Sequence, residues 1–158
     1  MSSLTIFSIN FFKNTAAVQV FILFLFLNIA AQDVLSANES VVSIEITNAA
    51  VNNGIVYIIV FPNADDFRRE QPSIVVHLAS AGTVLNHVLT IPYGEYVIVA
   101  FQDANNNEQL DSNFLGIPRE LFTITNYSGR GYPSRDFNRH KIEVNTPAMT
   151  LSLRLYKL

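Results

Sequence analysis

Polar and apolar residues begin to alternate at Val42: Val42, Ile44 and Ile46 are apolar while Ser43, Glu45 and Thr47 are polar, which puts three side chains on the inner face of a half-buried strand. Asn52-Asn53-Gly54 supplies turn residues that tolerate positive φ. Ile55 to Phe61 is apolar on both faces, as a central strand is, and Pro62 ends it. Asn63 to Pro72 carries Asp65, Asp66, Arg68, Arg69 and Glu70 and reads as a solvated loop of mixed charge. Ile74 to Leu78 and Val84 to Ile91 are joined around Gly82 over a length suited to a hairpin. After the turn Pro92-Tyr93-Gly94, the segment Glu95 to Phe101 is apolar on both faces and is expected to be central.

Phe122 to Thr125, Lys141 to Val144 and Met149 to Tyr156 complete the set, the last with Met149, Leu151, Leu153 and Leu155 opposite Thr150, Ser152 and Arg154. No segment shows a convincing helical period. Short strands separated by turn signals predict an all-β fold, a single antiparallel β-sandwich of about seven or eight strands.

The first residues do not belong to this pattern. Lys13 precedes an apolar run, Val20 to Leu27, followed by the small residues of Asn28-Ile29-Ala30-Ala31. That arrangement predicts a signal peptide over 1–31, a polar joint over 32–40 and a sandwich domain over 41–158. Spanning a bilayer takes about 20 apolar residues, and Gln19 and Asn28 bracket a shorter run, so an uncleaved leader, through which alone the chain would meet a membrane, is the weaker reading. The expected location is exported: periplasmic, cell-surface or secreted.

Composition narrows the chemistry. The chain of 158 residues is 49% hydrophobic, enough for one sizeable core, and contains no Cys, which removes disulfides, thiolate nucleophiles and Cys-based zinc sites. A formal charge of -3 with scattered Lys and Arg offers no field to gather nucleic acid, so no such partner is expected. His77, His87 and His140 lack metal-ligand spacing and are expected to be exposed or on edge strands. Ser134, Asp136 and His140 include the residue types of a catalytic triad but no nucleophile elbow, so no catalytic residue is assigned.

One segment carries a specific pattern. In Asp103-Ala104-Asn105-Asn106-Asn107-Glu108-Gln109-Leu110-Asp111, oxygen-bearing side chains recur at alternate positions. A hard cation such as Ca²⁺ takes about six to eight oxygens, so a loop that wraps it needs short carboxylates or amides at that spacing plus a backbone carbonyl. Asp103, Asn105, Asn107 and Asp111 fit the side-chain sites, Gln109 the carbonyl, and Glu120 is a further acid for the shell. Against the EF-hand pattern, Glu108 stands at the glycine position and Phe114 at that of the bidentate Glu. The alternative is an Asx-rich turn that hydrogen-bonds its own backbone.

Pro92-Tyr93-Gly94-Glu95-Tyr96, then Asp103-Ala104-Asn105-Asn106-Asn107, Leu110-Asp111 and Leu115-Gly116-Ile117-Pro118-Arg119-Glu120, resemble the DUF2141 family of exported bacterial proteins. That family's usual run is His-Asp-Glu-Asn-Gly-Asn-Gly-x-Leu-Asp followed by Gly-Ile-Pro-Lys-Glu. The chain departs from it at Gln102, at Asn106 and Glu108 in place of the two glycines, and at Arg119. The resemblance implies export from a bacterial cell and a transthyretin-like or carboxypeptidase-regulatory-like sandwich, and it implies no activity.

Asn126 to Asn138, with Tyr127, Arg130, Tyr132 and Arg135, is long for a connection and is the candidate contact loop for a protein or glycan ligand. The expected function is a non-catalytic binding or scaffold module with a structural calcium loop. The alternative is an enzyme acting on an envelope polymer through carboxylates of the same loop.

Overall fold

Residues 38–158 are described by the computed structural model. The expected leader, and the joint as far as Ala37, lie outside the described residues. The first strand, β1 (Glu39–Thr47), begins inside the expected joint, because Ser40 is already fully buried and starts the alternation. Seven more strands follow: β2 (Ile55–Phe61), β3 (Ile74–Ala79), β4 (Val84–Pro92), β5 (Gly94–Asp103), β6 (Leu121–Ile124), β7 (Ile142–Val144) and β8 (Ala148–Arg154).

They form two sheets. One is ordered β4-β1-β8, the other β3-β2-β5-β6, with β7 paired to the first residues of β5. The pairings are antiparallel except that of β8 with β1, which is parallel from Val41 opposite Ala148 to Thr47 opposite Arg154. Alternation sets which face of β8 is buried but not its direction, so this pairing had no local signal.

Between the sheets, Val42, Ile44 and Ile46 of β1, Leu89 and Ile91 of β4, Val56, Ile58 and Val60 of β2 and Ile98 and Ala100 of β5 share one buried cluster. Both faces of β5 are buried, as its two apolar sets require, because the outer face of its sheet is also covered. A second, aromatic cluster lies there: Tyr57 stacks on Phe101 with ring centroids 4.9 Å apart, and Phe61, Phe122 and Phe137 join them. Each such ring removes a large apolar area from water, worth on the order of 1.5–3 kcal/mol when fully buried.

Two short helices help to cover that face, where none was expected. The first, α1 (Ala64–Arg69), replaces the loop expected over the mixed charges. Asn63 caps it, its Oδ1 accepting the Asp66 N–H at 2.9 Å. Asp65 and Asp66 stand in its first turn and Arg68 and Arg69 in its last, which complements the helix dipole. Its Phe67 meets Phe61 edge-on at 5.3 Å. The second, α2 (Phe137–His140), buries both its end residues. His140 is therefore neither exposed nor on an edge strand. Its Nδ1 lies 2.9 Å from the Thr125 carbonyl, so that nitrogen carries the proton. His77 does lie exposed on an edge strand, and His87 sits half-buried on another.

The expected last strand stops at Arg154, after which the chain crosses from one sheet to the other. Leu155 donates to the Thr47 carbonyl, and Tyr156 forms a bridge with Phe122 of β6. This crossing closes the β6–β8 side of the sandwich.

Candidate cation-binding loop

Asp103 is the last residue of β5, and its side chain is fully buried. A buried carboxylate needs hydrogen-bond donors, and the loop that follows turns its main chain inward to provide them. Oδ1 accepts the N–H groups of Asn105 and Asn107, each at 3.2 Å, and Oδ2 accepts that of Glu108 at 2.7 Å. Such a wrap requires left-handed backbone at two points, found at Asn106 (φ 58°) and Glu108 (φ 62°). These are the positions of the two family glycines, so the loop holds their conformation with side chains in place.

Glu120, also buried, closes the other end. Its Oε1 accepts the Ala104 N–H at 2.8 Å and its Oε2 the Asp111 N–H at 3.2 Å, so one carboxylate clamps the first and last residues of the loop. Asp111 in turn accepts both side-chain amides, Asn105 Nδ2 at 2.8 Å and Asn107 Nδ2 at 3.1 Å. The amide oxygens make Asx turns, Asn105 Oδ1 accepting from Asn107 N–H at 3.1 Å and Asn107 Oδ1 from Gln109 N–H at 3.0 Å. The structure thus links Asp103, Asn105, Asn107 and Asp111 through one set of hydrogen bonds, with Asp103 buried beneath the loop, Asp111 half-buried, and Asn105, Asn107 and Gln109 exposed, while Glu120 acts on the backbone of the loop's ends.

Among the described residues, no three of His, Asp or Glu gather into a metal-holding group. A cation in this loop would therefore depend on amide and carbonyl oxygens as much as on carboxylates. Each amide oxygen has two lone pairs and spends one in its turn, which leaves one for an ion.

The base of the loop is fixed by a residue that strand periodicity did not single out. Gln102 is buried and clamps the β1–β2 turn, its Oε1 accepting the Ala50 N–H at 2.8 Å and its Nε2 donating to the carbonyls of Ala50 at 2.7 Å and Asn53 at 2.6 Å. A lone amide in an apolar strand was the available signal, since a buried amide needs partners. Gly54 in that turn has φ 73°, and a Cβ there would lie 1.8 Å from the Asp103 carbonyl oxygen. Across the outer face, burial first, and then the charges of Glu108 and Asp103, push the Tyr57 phenol above the ordinary tyrosine range.

A second turn follows directly. Asn113 Oδ1 accepts the N–H groups of Leu115 at 2.9 Å and Ile117 at 3.1 Å, and Ser112 bridges to Pro118. This turn holds Phe114 at 94% and Leu115 at 66% exposure, the two most exposed large apolar residues described. Tyr132 of the candidate contact loop, itself 53% exposed, joins them by donating its hydroxyl to the Gly116 carbonyl at 2.9 Å. Arg130 and Arg135 are exposed beside it in sequence. Tyr127 differs from these three: its hydroxyl donates to the Gly131 carbonyl at 2.6 Å and its ring packs edge-on against Tyr156 at 5.6 Å, so it anchors the loop. Burial, and the neighbouring Tyr156, raise its phenol above the ordinary range.

A family model described as an uncharacterized protein conserved in bacteria, DUF2141, matches residues 44–152, which bears out the resemblance seen in the sequence. No curated protein and no solved structure matches the chain.

Proposed function

The chain belongs to the DUF2141 family, and from that premise we propose that it is an exported, non-catalytic binding or scaffold domain of the bacterial envelope whose loop Asp103–Asp111 holds a structural Ca²⁺. The observation that carries this reading is the convergence of two carboxylates and two side-chain amides inside one hydrogen-bonded loop. Asp103, Asn105, Asn107, Asp111 and the Gln109 carbonyl supply the protein oxygens, and water completes the shell. A mixture of acids and amides limits both the repulsion within the empty loop and the pull on the ion, so the affinity is moderate.

The ion's contribution is rigidity. It ties the end of β5 to Asp111, and through the adjoining turn it fixes Phe114, Leu115 and Tyr132 on one surface. With Arg130 and Arg135 these residues form the contact face for a protein or glycan ligand.

Calorimetric titration of the purified protein with Ca²⁺ tests the site. One ion binds per chain, Mg²⁺ in equal amount does not displace it, and Asp111→Asn weakens it at least tenfold while the variant keeps its circular dichroism spectrum. Absence of heat with the wild type, or unchanged affinity in Asp111→Asn, removes the ion from this loop.

A further inference from the structure

The β3–β4 side of the sandwich differs from the side closed by Tyr156. Among the described residues, β3 is the terminal strand of its sheet, pairs with β2 in continuous register from Ile74 to Ala79, and carries no bulge. From Gln71 to Gly94 the chain contains no Asp, Glu, Lys or Arg. Edge strands are ordinarily guarded by charge, proline or a bulge, because their free N–H and C=O groups are a template for another strand. β3 has none of these within its length. Ile74, Val76 and Leu78 pack on the inter-sheet core yet stay partly exposed, and Val75 on the other face is 48% exposed.

We propose that β3 is a homodimer interface, at which a second copy of this chain adds its own β3 antiparallel and joins the two sheets across a two-fold axis. Directly opposed residues in an antiparallel pair share a face, so the axis must pass through a residue rather than between two. Centred on Val76, it sets Ile74 opposite Leu78 and Val75 opposite His77; centred on His77, it sets Val76 opposite Leu78 and Val75 opposite Ala79. In both registers the half-covered apolar residues of the two cores are buried against each other. The occupant must present an uncharged strand with an apolar inner face, and β3 itself does. Charge does not oppose this partner: each copy is formally -3, but the stretch that meets is free of charge, so no like charges are set against each other at the contact.

Sedimentation velocity of the purified protein from about 1 to 300 μM tests this, with micromolar dimerisation expected for an interface one strand wide. In V75K/H77K, lysines oppose lysines in either register at positions that are exposed in the monomer, and the dimer weakens at least tenfold. V41K, on the exposed face of β1, leaves it unchanged. Hydrogen exchange on the wild type gives a second readout: the alternate amides of 74–79 that do not bond to β2 gain protection as concentration rises. A monomer at every concentration, a dimer that survives V75K/H77K, or one lost in V41K overturns the proposal.

Discussion

Two long connections leave opposite ends of β6 and are held by opposite means. The one before it, from Ala104 to Glu120, is organised by carboxylates: Asp103 and Glu120 are buried and take their donors from the main chain. The one after it, from Thr125 to Asp136, is organised by rings and glycines. It wraps Tyr156 so closely that a Cβ on Gly129, where φ is 76°, would lie 2.2 Å from that ring. The second connection satisfies itself by apolar contact. The first concentrates acceptors, and those left over on Asp111 and on the exposed amides of Asn105 and Asn107 are what a cation would use. Polarity in the first loop is therefore of two kinds: the buried carboxylates point inward to the main chain, and the amides between them face solvent.

The largest expected effect breaks the first connection. Asp103→Ala leaves three backbone N–H groups without their acceptor in a buried place and costs about 3–5 kcal/mol, read from urea unfolding with chelator present. Because that loss occurs with or without an ion, it separates the structural role of Asp103 from ligation. Next, Gly129→Ala breaks the second connection, combining a left-handed backbone with a collision against Tyr156, at about 2–4 kcal/mol. It leaves any response to Ca²⁺ in place, since neither Gly129 nor Tyr156 bonds to Asp103, Asn105, Asn107 or Asp111.

A smaller effect probes the link between them. Tyr132→Phe deletes the hydroxyl that reaches Gly116 and lowers stability by about 1 kcal/mol, with faster hydrogen exchange confined to 112–118 and 126–136. The smallest has the opposite sign: Glu108→Gly relieves a left-handed side chain and raises stability by roughly 0.5–1 kcal/mol. A loss there would mean that the Glu108 side chain supports the loop by a contact not seen in its backbone.

The strands are legible because period-two alternation is a local signal; the exceptions are the start of β1, where Glu39 and Ser40 look like linker, and the connection from β3 to β4, which has the length of a hairpin but crosses between the two sheets. The helices are not, since α1 at six residues is too short to show a 3.6 period. Asn63 with acids ahead of bases was its readable mark. The parallel β1–β8 pair and the burial of His140 depend on neighbours far along the chain, which no local pattern encodes. In the loop, alternate oxygens identified the residues that converge. Which oxygen meets which donor was fixed by packing, so Glu120 was expected as a further ligand and is seen clamping the backbone instead.

Thermal unfolding of the purified protein in chelator, in millimolar Ca²⁺ and in millimolar Mg²⁺ tests the central claim most directly. Ca²⁺ at about a hundred times its dissociation constant adds roughly 2.7 kcal/mol, which raises Tm by about 10 °C, and Mg²⁺ has little effect. Equal melting in all three conditions would contradict the account and leave the loop as an Asx turn closed on its own backbone.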